Sequence, residues 1–179
     1  VGHPESYRTV IDREVVEPLG LTPELVHVPS GDPEKGPTAG ADFERLIAEA
    51  GGVDLQLLGV GTIGHIGFNE PGSSLTSRTR IKTLTTQTRR DNARFFDNEA
   101  DVPTHCVTQG LGTIMEADAV VLVATGEHKA DAVLAMVEGP VSTACPASIL
   151  QFHNKVLVVV DEAAASKLTY GDYFRDRNP

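Results

Sequence analysis

The sequence predicts an α/β protein in which helices pack against a mainly parallel sheet. Three almost entirely apolar segments support this, because strands without polar alternation are typical of parallel sheets that are buried on both faces. Segments with helical apolar periodicity lie before and between them. The length of 179 residues and the hydrophobic content of 40% suit one globular domain, which we expect to cover residues 1–179.

The predicted elements follow from the apolar spacing along the chain. Helical spacing that ends at glycine or proline predicts helices in segments 3–20, 41–52 and 128–140. A short β-rich run and the three apolar segments predict strands at 24–29, 53–60, 117–125 and 155–162.

Composition narrows the classes of function. The net charge of −10 disfavours nucleic acid and acidic membranes as partners, and no apolar run approaches the ~20 residues of a membrane-spanning helix. Cys106 and Cys145 fit no metal-ligand spacing, so we expect free thiols in a reducing, cytoplasmic compartment. The histidines are scattered singly, which argues against a metal site. They are His3, His27, His65, His105, His128 and His153.

The basic residues are concentrated in one part of the chain. Six of the 15 lie between Pro71 and Arg94, where Asp91 is the single acid. They are Arg78, Arg80, Lys82, Arg89, Arg90 and Arg94. Such a strip on an acidic protein suits a small anion such as a phosphate ester, and a solvated loop is the alternative. Residues 72–94 also lack a steady apolar period, which predicts an irregular active-site lid.

Gly59, Gly61 and Gly64 fit G-x-G-x-x-G directly after an apolar segment. A dinucleotide site would also need a helix that begins at the last glycine and an acidic residue about 20 positions further on. The sequence "HIGFNEPGSS" disfavours that helix, and residues 71–90 contain no Asp or Glu. We therefore expect the glycines to present His65 and Glu70 as an acid–base pair beyond the end of a strand. A histidine in a turn near a surface glutamate is the alternative.

The segment "GHIGFNEPGSSLTSRTRIKTLT" closely resembles the motif of glucosamine-6-phosphate deaminases. Further similar segments are "RFFDN", "TQGLGTIMEAD", "GEHKA", "VEGPVS" and "DYF". The resemblance implies a three-layer αβα fold with a mainly parallel, Rossmann-like sheet, shared with phosphogluconolactonases. It implies conversion of glucosamine 6-phosphate to fructose 6-phosphate and ammonia, by ring opening and aldose–ketose isomerisation, in amino sugar catabolism. Neither a metal nor an organic cofactor is implied.

The resemblance also implies roles for individual residues. His65 would assist opening of the sugar ring, and Glu70 would orient it. Arg94 and Lys129 would hold the substrate phosphate, and the backbone of Gly59 would lie against the sugar. In regulated members an allosteric site between subunits binds N-acetylglucosamine 6-phosphate, which implies a homo-oligomer. The matching positions are Ser73, Arg80, Lys82 and Tyr173.

Two departures from the family pattern bear on activity. Where the family has Asp or Asn two residues before the histidine, this chain has Ile63, which cannot accept a hydrogen bond. The family's phosphate loop and its aspartate base, which moves a proton between C2 and C1, precede the "HPESY" segment. We therefore expect a C-terminal portion of a longer family domain that is inactive alone. A 6-phosphogluconolactonase-like hydrolase, a non-catalytic sugar-phosphate sensor and a structural module are the alternatives.

Overall fold

Both helices and strands are present in the computed structural model, which describes residue 4 and residues 6–96 and 98–177, without the side chains of Pro33 and Glu99. The residues cluster into two compact units. The first consists of residues 1–46 and 79–108, and the second of residues 47–78 and 109–179. One domain over residues 1–179 stays a prediction.

The bounds of the elements agree with most of the sequence predictions. The helices are α1 (Tyr7–Ile11), α2 (Glu17–Leu19), α3 (Gly36–Glu49), α4 (Thr86–Asn92), α5 (Leu111–Met115), α6 (Ala130–Val137) and α7 (Gly171–Arg177), with a π-helical turn at Asp12–Val16. The strands are β1 (Leu55–Gly59), β2 (Arg80–Thr83), β3 (His105–Thr108), β4 (Ala119–Ala124) and β5 (Val156–Val160). The 3-10 segments are Pro23–Leu25, Pro33–Lys35, Ala93–Phe95, Glu99–Asp101, Glu127–Lys129 and Pro146–Phe152. The three predicted helices and the three predicted apolar strands are confirmed.

In the first unit, β2 and β3 form an antiparallel pair with Arg80 opposite Thr108. Helix α4 begins after Thr85, whose side chain accepts a hydrogen bond from the backbone N–H of Thr88 at 3.1 Å. The prediction of an irregular segment over 72–94 is therefore wrong for most of its length. Strand pairing and a helix cap stabilise regular structure in this segment, although its apolar residues show no helical or strand period. The role of residues 72–94 as a lid stays a prediction.

The strand predicted at 24–29 is also wrong. Residues Pro23–Leu25 form a 3-10 turn, and no described residue of 26–29 lies in a strand. The physical reason lies in the flanking prolines, Pro23 and Pro29. Each lacks a backbone N–H, and together they leave only three apolar-rich residues between the turn and the second proline.

In the second unit, the strands form a parallel sheet in the order β1-β4-β5. One face carries alternate residues such as Leu58, Val120 and Leu122, which are buried against α5, α6 and the 3-10 segment Pro146–Phe152. This parallel sheet with helices confirms the predicted α/β fold class.

The opposite face of that sheet is exposed. We call it the open face, and its large apolar residues are Leu55, Leu57, Val123, Leu157 and Val159, with exposed fractions of 43–66%. Burial on both faces, as the apolar runs predict, is therefore wrong for this sheet. The runs are continuous because both faces are apolar, but within the described residues only one face is packed.

Candidate functional site

The three parallel strands end at one edge of the second unit's sheet. Strand β1 ends at Gly59, β4 at Ala124 and β5 at Val160, and β4 lies between the other two. In sheets of this type ligands bind beyond the carboxyl ends of the strands. The segments that continue from this edge carry His65, Lys129 and other candidate residues, so the candidate site is built there.

The structure brings His65 and Glu70 together. The Nδ1 atom of His65 lies 3.2 Å from Oε2 of Glu70, and the exposed fractions of the side chains are 14% and 3%. An ionised carboxylate only accepts hydrogen bonds, so a neutral imidazole paired with it carries its hydrogen on Nδ1 and keeps the lone pair on Nε2. Glu70 thus selects the tautomer of an imidazole whose other nitrogen is available to accept or donate a proton.

Gly61 and Gly64 shape the turn that precedes His65. A Cβ atom on Gly61 would lie 2.2 Å from Nε2 of His65, so the imidazole edge occupies the space that any side chain would need. Gly64 has a φ of +78°, and a Cβ there would lie 2.6 Å from Sγ of Cys145. Both glycines therefore serve the placement of the histidine. Residues 60–79 contain no helix, as the sequence "HIGFNEPGSS" predicts.

The loop that carries the pair is attached at both ends to residues 142–148. The backbone N–H of Ala147 donates to the carbonyl of Gly64 at 2.9 Å, and that of Gly72 donates to the carbonyl of Thr143 at 2.8 Å. Ser73 is buried and donates its hydroxyl to the carbonyl of Glu70 at 2.6 Å. The loop is thus held by main-chain bonds that no sequence motif indicates.

Lys129 lies in a loop that a carboxylate of the neighbouring strand fixes. Both carboxylate oxygens of Asp161, the residue after β5, lie 3.0 Å from the backbone N of Gly126. Oδ1 also accepts the N–H of Ala164 at 2.7 Å. The N–H of Lys129 donates to the carbonyl of Gly126 at 3.0 Å, and α6 begins at the next residue. Asp161 therefore connects the ends of β4 and β5, a role that sequence analysis missed.

We expect Asp161→Asn to lower stability at neutral pH and to lose its effect in acid. Hydrogen bonds from the N–H groups of Ala164 and Gly126 hold the pKa of the Asp161 carboxyl below its ordinary value. A depressed folded-state pKa contributes stability above the unfolded value of about 3.9, and that stability is lost as the pH falls through the folded value. Urea unfolding from pH 7 to pH 3 measures the difference, with the exposed Asp54→Asn as control. A pH-independent difference between wild type and variant would contradict the assignment.

The remaining predicted residues of the second unit have distinct surroundings. Ile63 is half-buried in the turn between Gly61 and Gly64, where the N–H of Gly64 donates to the carbonyl of Gly61. Gly59 ends β1, and a Cβ there would make only ordinary contact, 3.9 Å from the carbonyl oxygen of Val123.

Tyr173 lies exposed on α7, where its hydroxyl accepts a hydrogen bond from Arg177 at 3.1 Å. Three predicted cations, Arg80, Lys82 and Arg94, belong to the first unit. Burial lowers the pKa of the Arg80 guanidinium, and the guanidinium of Arg94 lies 4.8 Å from the ring centroid of Phe95.

The two cysteines are free, as predicted, and both are half-buried. Burial raises the pKa of the Cys145 thiol. Among the residues that the structure describes, no group of three or more His, Cys, Asp or Glu side chains could hold a metal ion. None of the helices in the described part of the chain combines the length and apolarity needed to cross a bilayer.

Comparison with known proteins agrees with the resemblance. The family model described as "Glucosamine-6-phosphate isomerases/6-phosphogluconolactonase" matches residues 1–159. The chain is 64% identical to a glucosamine-6-phosphate deaminase of Streptomyces avermitilis and 57% identical to one of Bifidobacterium longum, over 97% of this chain and 67% of each relative.

Solved structures extend the agreement to the fold. A glucosamine-6-phosphate deaminase described as monomeric is 38% identical, with a TM-score of 0.89 over 92% of this chain and 68% of its own. A 6-phosphogluconolactonase from Leishmania guyanensis shares the fold at 17% identity, with a TM-score of 0.69 over 92% of this chain and 69% of its own. The chain belongs to the glucosamine-6-phosphate isomerase/6-phosphogluconolactonase family.

Proposed function

We propose that this protein is a glucosamine-6-phosphate deaminase, which converts glucosamine 6-phosphate and water to fructose 6-phosphate and ammonia. Relatives that are 57–64% identical over 97% of the chain carry that name. The observation in the structure that carries the proposal is the buried hydrogen bond between His65 and Glu70 at the carboxyl edge of the sheet. Such a pair suits reversible proton transfer near neutral pH.

His65 would act in ring opening through Nε2. The C1–O5 bond of the sugar breaks, the ring oxygen gains a proton, and the anomeric hydroxyl loses one as the carbonyl forms. An imidazole can carry that proton from one oxygen to the other. The buried carboxylate of Glu70 stabilises the imidazolium form and keeps its Nδ1 hydrogen directed inward, which leaves Nε2 for the sugar.

Substrate binding is proposed for Gly59, Lys129 and Arg94. Gly59 is the last residue of β1, and the segment before Lys129 follows β4. These strands are neighbours in the sheet, so both reach the edge from which the segment of His65 continues. Without a side chain at Gly59, a sugar can approach the backbone there. The ammonium of Lys129 and the guanidinium of Arg94 are each suited to charge-assisted hydrogen bonds with a phosphate dianion.

We further propose that copies of the chain form an oligomer with an effector site at Ser73, Arg80, Lys82 and Tyr173. The residue types suit a sugar phosphate, since two are cations and two carry hydroxyls. The solved relative that is 38% identical is described as monomeric. Sedimentation velocity with and without N-acetylglucosamine 6-phosphate tests the proposal, and a monomer under both conditions would contradict it.

The activity itself is tested with a chimera, in which the part of the Streptomyces avermitilis relative that this chain does not match, about a third of its length, is joined to this chain in the relative's own order. We expect ammonia release from glucosamine 6-phosphate, and fructose 6-phosphate in equal amount. The chimera should not hydrolyse 6-phosphogluconolactone above the rate of buffer. A folded chimera that binds glucosamine 6-phosphate without turnover would support a sensor, and lactone hydrolysis would support a hydrolase.

We expect Ile63→Asp to raise kcat of the chimera by about tenfold, the low end of what general acid–base groups contribute. A carboxylate in the turn before His65 could accept a hydrogen bond during ring opening, and an aliphatic side chain cannot. Ile63→Leu, which changes shape without adding an acceptor, is the matched control. Equal or lower activity with Asp would mean that ring opening here needs only His65 and Glu70.

A further inference from the structure

Asn69 is buried in the loop between the two members of the acid–base pair. Its side chain is fully inaccessible. The amide Nδ2 donates to the carbonyl of Ile66 at 3.0 Å and to the carbonyl of Gln109 at 2.8 Å. The backbone N–H of Asn69 donates to the same Ile66 carbonyl at 3.1 Å. One residue therefore closes the turn from 66 to 69 and attaches it to the backbone that leads into α5.

This turn separates the two members of the pair. His65 directly precedes Ile66, and Glu70 directly follows Asn69. The two members of the pair are therefore the residues immediately before and after the closed turn. A change in the turn moves the two side chains relative to each other. The hydrogen bond that joins them measures 3.2 Å from Nδ1 to Oε2, already near the upper limit for an N–H···O bond, so a small displacement breaks it.

We propose that Asn69 is a positioning residue that sets the His65–Glu70 hydrogen bond through the carbonyls of Ile66 and Gln109. The proposal rests on the proposed function of that pair in proton transfer. In this proposal Asn69 does not contact the reacting atoms of the substrate. It holds the turn at the length and direction that place the carboxylate of Glu70 opposite Nδ1 of His65.

The chemistry of the site explains why an amide suits it. Two carbonyl oxygens face Nδ2, and the –NH2 group supplies one hydrogen to each. An aspartate would present only acceptors to these carbonyls and would bring a charge into a fully buried position. Removal of the amide would leave the carbonyl of Ile66 with the backbone N–H of Asn69 and would take this donor from the carbonyl of Gln109, so the turn would lose its attachment to the backbone before α5.

Gln151 offers a matched control. Its Nε2 also donates to two backbone carbonyls, those of Met136 and Gly139, at 2.9 and 2.8 Å. These bonds lie between α6 and the 3-10 segment Pro146–Phe152, outside the loop of the pair. Gln151→Ala therefore removes the same kind of double hydrogen bond, although at a more exposed position, without touching residues 66–70.

The test is long-range 1H–15N correlation of the histidine rings in the uniformly 15N-labelled chain, with His65→Asn used to assign the His65 signals. We expect wild type and Gln151→Ala to show one His65 tautomer with the hydrogen on Nδ1. Asn69→Ala should give averaged nitrogen shifts for His65, because the Nδ1 hydrogen has lost its fixed acceptor. Asn69→Ser, which keeps a single donor, provides a second variant in case the alanine variant does not fold. Unchanged His65 shifts in a folded Asn69 variant would overturn the proposal.

The same variants in the chimera separate this inference from the proposed function. We expect Asn69→Ser to lower kcat by about tenfold while KM stays within about twofold, since a misplaced proton carrier affects the chemical step. Altered His65 shifts in a protein whose wild-type chimera releases no ammonia would support the positioning role and contradict the deaminase. Deamination by the wild-type chimera, together with unchanged His65 shifts in the Asn69 variants, would support the deaminase and contradict the positioning role.

Discussion

Gly61→Ala is expected to lower kcat/KM of the chimera for glucosamine 6-phosphate by at least about 100-fold, the loss that a misplacement of about 1 Å can cause. The added Cβ would lie 2.2 Å from Nε2 of His65 and within 2.5 Å of its carbon neighbours in the ring. The imidazole must therefore rotate or leave the position in which Nδ1 faces Glu70. The displacement would break the hydrogen bond of Nδ1 with Glu70. It would also move Nε2, the atom proposed to exchange protons with the sugar.

The measurement is steady-state ammonia release together with the thermal unfolding midpoint. His65 can move without unfolding the sheet, so we expect the midpoint to fall by no more than a few degrees, which corresponds to about 1 kcal/mol. Gly31→Ala is the control, because a Cβ at that glycine meets nothing within 4 Å. Full activity of Gly61→Ala would show that the position of the His65 ring is not needed for turnover.

Glu70→Gln is expected to lower kcat by about 10²–10⁴-fold. The substitution keeps the size of the side chain but removes the negative charge that stabilises the imidazolium form of His65. In the serine protease triad, the corresponding change from carboxylate to amide lowers kcat by about 10⁴ because the wrong histidine tautomer is favoured. Glu70 is buried beside Nδ1, so bulk solvent cannot replace the lost charge.

The measurement for Glu70→Gln is steady-state ammonia release by the chimera. We expect the loss to fall on kcat while KM changes little, since Glu70 acts through the His65 ring and is not proposed to bind the substrate. Glu162→Gln removes an exposed carboxylate that pairs with Arg175 at 2.9 Å, and it should leave kcat unchanged. A variant at Glu70 with wild-type kcat would remove the acid–base pair from the mechanism.

Sequence reasoning located most of the parallel sheet and the acid–base pair, for identifiable reasons. Continuous apolar runs mark β1, β4 and β5 because both faces of this sheet carry apolar residues, although only one face is packed within the described residues. The glycine turn indicates a close approach of backbone and ligand, and the structure shows that Gly61 accommodates the His65 ring itself. The spacing of residues along the chain was therefore sufficient to predict contacts between residues that are near each other in sequence.

What escaped prediction depends on partners distant in sequence. Strands β2 and β3 are polar and four residues long, and they are stabilised by each other across more than twenty residues of chain. Asn69 lies within the recognised motif, yet its importance appears only with the carbonyl of Gln109, 40 residues away. The hydrogen bonds that Thr143 and Ala147 make to the loop come from backbone groups, which carry no sequence signal.

The open face gives the chain a stability that depends on what surrounds it. Full burial of a leucine or valine side chain contributes about 1.5–3 kcal/mol, so five side chains left roughly half in water forgo several kcal/mol. That is comparable with the entire net stability of a typical domain, about 5–15 kcal/mol. The free energy of unfolding of this polypeptide alone is therefore its lowest value. A molecule that binds the open face of the folded state, and not the unfolded chain, raises the free energy of unfolding by mass action.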